Sequence, residues 1–169
     1  MQHYRPKLDI PLTIKDKWLE AAGFLVMIAV WIISIVAYVK APDVIPIHYN
    51  INGEADGYGS KATLFIEPAI STFVYLLLSG ISRIPHQFNY LVTITPENAE
   101  DQYRRALTML RILKICIPLA MVALLLNTAF TNDHKLGIGM ILTEVFFVLL
   151  LPLFIIIYTT TKKKQPKQP

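Results

Sequence analysis

Trp18-Leu-Glu-Ala-Ala-Gly-Phe-Leu-Val-Met-Ile-Ala-Val-Trp-Ile-Ile-Ser-Ile-Val-Ala-Tyr-Val39 is the stretch from which the rest of the chain is read. Its end aromatics, Trp18 and Tyr38, stand 20 positions apart. A helix rising about 1.5 Å per residue separates them by about 30 Å, the thickness of a bilayer's hydrocarbon core. Amphipathic rings near both ends suit the two membrane–water interfaces. The run reads as one full crossing.

Three similar runs follow, and the spans are placed at 18–39, 62–82, 107–130 and 136–158. A length of 169 residues suits one soluble domain, but 54% hydrophobic and 17% charged residues do not. The mean hydropathy of +0.47 points the same way. The expected fold is an all-α integral membrane protein: four transmembrane helices with a Pro/Gly-rich extracytoplasmic loop between helices 1 and 2. A charged segment, residues 1–17, precedes the first run, which is also longer than a typical signal core. It reads as a retained anchor.

Orientation follows from the basic residues. Arg5, Lys7, Lys15 and Lys17 precede the first span, Arg83, Arg104, Arg105, Arg111 and Lys114 surround the connection 83–106, and Lys162, Lys163, Lys164 and Lys167 follow the last span. Lys40, Lys61 and Lys135 are left for the other side. The positive-inside rule places both termini and the central connection in the cytoplasm, with the loop 40–61 and the Thr131–Lys135 turn outside, in a multi-pass arrangement across the cytoplasmic membrane. The net charge of +4 sits beside the spans, so its expected counterpart is the lipid bilayer and not nucleic acid. Cys116, the only cysteine, falls inside the third span, where an inert packing role is expected.

Thr95-Pro-Glu-Asn98 carries helix-start chemistry: a capping hydroxyl, a proline suited to the first turn and an acid at the positive dipole end. A helix is expected to begin there and run into the third span. Arg111 and Lys114, three apart, share a face of it and are expected to snorkel to the interface, with Glu100, Asp101 and lipid phosphates as partners. The basic, proline-containing segment 159–169 reads as a disordered tail.

The outer loop, Ala41-Pro-Asp-Val-Ile-Pro-Ile-His-Tyr-Asn-Ile-Asn-Gly-Glu-Ala-Asp-Gly-Tyr-Gly-Ser60, concentrates turn formers and hydrogen-bonding side chains. Ile45, Ile47, Tyr49 and Ile51 alternate with Pro46, His48, Asn50 and Asn52, the two-residue period of a strand. One edge is expected to be apolar and the other polar. Asn52-Gly53 tolerates positive φ, and Asp56-Gly57 and Gly59 add turn capacity, so the loop is expected to fold back as a compact cap.

Pro42, Asp43, Ile45, Pro46, His48, Asn50, Gly53, Asp56 and Lys61, in that spacing, resemble the bacterial membrane domain of unknown function found at the N-terminal end of SdpI-like toxin-immunity proteins. Phe88-Asn89-Tyr90 and Thr95-Pro-Glu-Asn98 are similar to short members of that group. Two positions depart: Ala41 stands where leucine is common, and Ala55 where proline often precedes the aspartate. The resemblance implies a membrane domain associated with immunity; the larger C-terminal membrane portion of the full-length proteins is missing from the pattern.

Pro42, Asp43, Pro46, His48, Asn50, Gly53, Asp56 and Lys61 are therefore the candidate outer-loop recognition or structural motif. His48, Asn50, Glu54 and Asp56 offer nitrogen and oxygen ligands, but the loop lacks zinc spacing and the acidic pattern of an EF-hand. No cofactor or metal is expected. His48 and Asn50 have an alternative role in satisfying backbone groups.

Glu67, Ser71, Asn127 and Glu144 form a second candidate, an intramembrane polar site. Thr63, Glu67, Ser71, Tyr75 and Ser79 recur every four residues as a stripe expected to avoid lipid. An ionisable group inside a membrane is a functional hypothesis in its own right. Glu67, Glu144 and Asn127 are expected at one depth beneath the loop. Pro68 offers Glu67 a structural alternative, a distorted helix end near water.

The leading functional expectation is an extracytoplasmic binding, sensing or immunity-like module with a peptide or protein partner. The alternatives are a small homo-oligomeric transporter using the buried carboxylates, and a structural membrane protein without ligand. No nucleophile elbow, phosphate loop or metalloprotease motif supports an enzyme, although His48, Asp56, Glu67 and Glu144 are the groups one would use.

Overall fold

A computed structural model describes residues 5–50 and 52–130 together with 145 and 151, excluding the side chains of 123, 124 and 127–130. Helix α1 spans Ile14–Lys40, strands β1 (Val44–Tyr49) and β2 (Ala55–Ser60) form an antiparallel hairpin, and a 3-10 segment, Lys61–Phe65, leads into α2 (Ile66–Ile81). A short 3-10 turn, Pro85–Gln87, and an irregular stretch precede α3 (Ala99–Phe130).

Helix α1 starts earlier than the apolar run because its first turn is capped. Thr13 Oγ1 accepts from the Asp16 amide at 3.2 Å, and Asp16 Oδ2 accepts from the Thr13 amide at 2.9 Å. This reciprocal box satisfies donors the helix cannot satisfy itself, and such caps contribute about 1 kcal/mol. Residues 14–17, read from sequence as part of a separate segment, thus belong to the helix. Pro42, just past the Ala41 C-cap, cannot continue it.

Among the described residues, two helices are long and apolar enough to cross a membrane: Ile14–Lys40 and the continuous Lys61–Ile81. The third expected span, 107–130, falls within α3, which is not one of those two, and the fourth, 136–158, lies outside the described residues, as do the Thr131–Lys135 turn and the tail. The all-α expectation is corrected by the two-stranded sheet. Glycine-rich β2 accepts β1 because its small residues leave room for the opposing side chains.

Ala37, Ala41, Ile45, Leu64 and Leu125 form one buried cluster, which joins the end of α1, the hairpin base, the start of the second helical segment and α3. A second, Ile94, Ala99 and Tyr103 with Ile10, Tyr90 and Val92 around it, forms where the N-terminal segment lies on the connection. Arg5 Nη1 donates to the Phe88 carbonyl at 2.6 Å, and Tyr103 donates to the Pro6 carbonyl at 3.1 Å.

The expected start of α3 is displaced by a few residues. Asn98 Oδ1 accepts from the Thr95 amide at 2.9 Å, while the Thr95 carbonyl accepts from the Ala99 amide at 2.9 Å. Thr95–Asn98 forms an entry turn, and the helix proper begins at Ala99.

Candidate functional site

The hairpin stands on a fastened base. The Lys61 amide donates to the Asp43 carbonyl at 3.0 Å, and Lys61 Nζ lies 3.0 Å from Asp43 Oδ1. Lys61 also sits over the Tyr38 ring, 5.0 Å from its centroid, and Tyr38 packs on Phe65 at 5.1 Å. Ile45, fully buried, drives the base into the apolar cluster. Pro46, also buried, pairs with Tyr58.

At the tip, Asn50 organises the turn. Its Oδ1 accepts from the amides of Asn52 at 2.9 Å and Glu54 at 3.0 Å, its own amide donates to the Glu54 carbonyl, and Gly53 takes φ 77°. A side chain at that φ is strained, which explains the glycine. Asn50 therefore serves the backbone.

His48 does something else. The register runs Pro46↔Tyr58, His48↔Gly57, Tyr49↔Ala55, with shifts on both sides of His48. Ile47 and Asp56 are the residues passed over. These irregularities break the expected alternation: Ile45 is buried, whereas Ile47 is 51% exposed. A Cβ on Gly57 would meet His48 Cβ, and one on Gly59 would meet Ile47 Cδ1, each at 2.8 Å. The consecutive side chains of Ile47 and His48 thus both lie over the glycine face of β2, as a bulge permits.

His48 Nδ1 lies 2.5 Å from Asp56 Oδ1, and both side chains are solvent-accessible. Val44 and Tyr58 are exposed as well. The exposed parts of the hairpin therefore include an imidazole–carboxylate pair as well as apolar and aromatic groups. Burial pushes the Tyr49 phenol above its ordinary range, with Tyr58 adding to the effect.

The polar stripe of α2 faces inward. Ser71 is buried and Thr63, Glu67, Tyr75 and Ser79 are partly buried, while Ile66, Ile70, Phe73 and Leu76 are exposed. Trp31 Nε1 of α1 donates to Thr72 Oγ1 at 2.9 Å, setting the register of the two helices. Ser34 on α1, Ser71 and Glu67 Oε2 are buried polar groups with no hydrogen-bond partner among the described residues. Glu67 lies in the first turn of α2, directly before Pro68, and the change from the 3-10 segment to α geometry falls just ahead of the proline. Asn127 falls in α3, but its side chain and the whole of Glu144 lie outside the described residues, as does Ile51.

At the other end of α1 the structure reveals a charge cluster that sequence reading missed. Arg111 Nη1 donates to Asp16 Oδ1 at 2.8 Å and its Nε to Glu20 Oε1 at 3.2 Å; Lys114 Nζ donates to both Glu20 oxygens, at 2.9 and 3.1 Å. Arg111 and Lys114 are buried. The expected snorkelling toward Glu100, Asp101 and lipid phosphates is corrected: the partners are α1 acids. Glu100 pairs instead with Arg104, at 3.0 Å. The available signal was two acids at i, i+4 entering the first span and two bases at i, i+3 entering the third.

The hairpin lies within the stretch of the chain that resembles known proteins. A family model described as "Domain of unknown function (DUF1648)" matches residues 25–72, from mid-α1 through the hairpin into α2. The chain is 27% identical over 74 residues to an uncharacterized protein of Archaeoglobus fulgidus. That alignment takes in 44% of this chain and 40% of the relative. No solved structure matches.

Proposed function

We propose that the chain is a multi-pass membrane recognition module whose hairpin binds an extracytoplasmic peptide or protein. The observation that carries this reading is the exposed part of the hairpin: His48 paired with Asp56, with Ile47, Val44 and Tyr58 also exposed, on a base locked into the helices. Exposed apolar and aromatic groups beside a polar pair on a fixed scaffold suit partner binding. The DUF1648 match covers this same region, and the resemblance to SdpI-like proteins supports a toxin peptide as partner. In this reading the hairpin is outside the cell, both termini are cytoplasmic, and no reaction is catalysed.

The test is survival of cells expressing wild type, His48→Ala or Tyr58→Ser under peptide-toxin challenge, with membrane abundance measured in the same cultures. Protection by wild type that falls at equal abundance in the variants supports recognition. Equal protection by all three sinks it.

A second reading, an oligomeric transporter, is favoured by Ser34 Oγ, Ser71 Oγ and Glu67 Oε2, which have no hydrogen-bond partner among the described residues, since buried polar groups inside a membrane helix pair mark pathways. Loss of pH-dependent flux in Glu67→Gln vesicles would support it.

A further inference from the structure

The end of the bundle where α1 begins and α2 ends holds a cavity of about 290 Å³, near the lower limit of the ~300–1,000 Å³ typical of small-molecule sites. Helix α2 reaches it with its last residue, Ile81. Helix α3 supplies Gln102, Arg105, Met109 and Leu110, which recur at helical spacing and share a face. The remaining wall is Phe88-Asn89-Tyr90-Leu91, a segment that the hairpin function leaves unused.

That wall is built. The Phe88 and Tyr90 rings stack at 6.1 Å, Tyr90 packs on Tyr103 at 5.6 Å, and Tyr90 donates to the Pro85 carbonyl at 2.8 Å. From behind, the Arg5 guanidinium lies 5.8 Å from the Tyr90 ring centroid. Burial also pushes the Tyr90 phenol above its ordinary range, so it remains an uncharged donor.

Position and chemistry together identify an occupant. Ile81 ends an apolar helix long enough to cross a membrane, and in the membrane reading the cavity opens where hydrocarbon gives way to headgroups. Ile81, Leu91, Met109 and Leu110 make an apolar trough, and Leu91 is 69% exposed, which suits a side chain bathed in acyl chain. Among the described residues lining it the charged one is Arg105, and exposed Arg83 follows Ile81 closely in the chain. Basic side chains at the cytoplasmic ends of membrane helices attract anionic lipid headgroups. We propose that the cavity is an anionic phospholipid site, with an acyl chain along the α3 face and the phosphate on Arg105. The inference rests on the membrane reading and is independent of what the hairpin binds.

The test uses the full chain reconstituted separately in phosphatidylglycerol and phosphatidylcholine vesicles. Flotation reports insertion, and lipid retained after extraction into detergent is quantified by mass spectrometry. Wild type is expected to retain phosphatidylglycerol in preference to phosphatidylcholine. Arg105→Gln is expected to lower that retention about tenfold, the loss of one charge-assisted contact. Met109→Trp, which fills the trough, is expected to abolish retention of either lipid while flotation persists. Equal retention of the two lipids by wild type, or unchanged retention in both variants, overturns the proposal. Displacement of the lipid by inorganic phosphate alone assigns Arg105 to a free anion and also overturns it. A chain that does not float overturns the membrane reading and the site with it.

Discussion

Lys114 and Glu20, 94 positions apart, form a two-pronged ion pair across the α1–α3 interface, with Nζ 2.9 and 3.1 Å from the carboxylate oxygens. Gly23, one turn further along α1, makes the approach possible: a Cβ there would lie 3.3 Å from Lys114 Cβ and 3.5 Å from the Tyr75 ring. Lys114 also sits over that ring, 5.2 Å from its centroid. Charge, ring and glycine hold three helices at one point.

Glu20→Gln leaves buried Lys114 without its carboxylate. Removing one partner of a buried pair destabilises by about 3–5 kcal/mol, whereas replacing both by apolar residues is often neutral. Thermal unfolding in detergent is expected to fall sharply for Glu20→Gln and to recover in part in Glu20→Leu/Lys114→Leu, in which Arg111 loses its contact with Glu20 but keeps Asp16. A double variant as unstable as the single one contradicts this account.

Gly23→Val places branched bulk against Lys114 and Tyr75 and is expected to separate α1 from α3. Overpacking of this kind typically costs about 1–3 kcal/mol. Cross-linking of cysteines introduced on the two helices measures it; undiminished cross-linking counts against the close approach.

In the hairpin, Gly57→Ala is expected to be worse than Gly59→Ala. The first clash falls on His48 Cβ, held by the backbone, and the second on the movable Ile47 Cδ1. Amide hydrogen exchange across Val44–Tyr49 should accelerate more in the first variant, and the reverse order would refute the bulge geometry.

Burial, and not the surface ion pair, anchors the hairpin base. Asp43 is 92% exposed in its pair with Lys61, so Asp43→Asn is expected to change stability by less than about 1 kcal/mol. Ile45→Ala is expected to cost about 2–5 kcal/mol. Comparable losses in the two variants would overturn that ranking.

Glu97 carries a modest pH effect. Its hydrogen bond from Thr95, with a backbone bond, holds the carboxyl below its ordinary range. Such a group contributes stability above the ordinary value, about 4.3, and loses it as pH falls through the lowered one. The acid limb of a stability–pH curve should flatten slightly in Glu97→Gln.

Local chemistry made much of this legible. The Asn52-Gly53 turn, the helix start near Thr95 and the inward stripe through Ser71 each depend on neighbours within a few residues. The bulges flanking His48 were not legible, because Ile47 and Asp56 are passed over only once two strands have paired. For the same reason His48 looked equivalent to Asn50, although one faces Asp56 and the other serves the turn.

By itself the sequence determined that long apolar helices flank a turn-rich loop, because lipid compatibility and turn formation are properties of contiguous residues. The tertiary structure alone decided which charges meet, placing Asp16 and Glu20 against Arg111 and Lys114. It likewise decided that Phe88–Leu91 walls a cavity with α3. Burial and pairing of charges belong to the space between helices, and that space exists only after residues some ninety positions apart have come together.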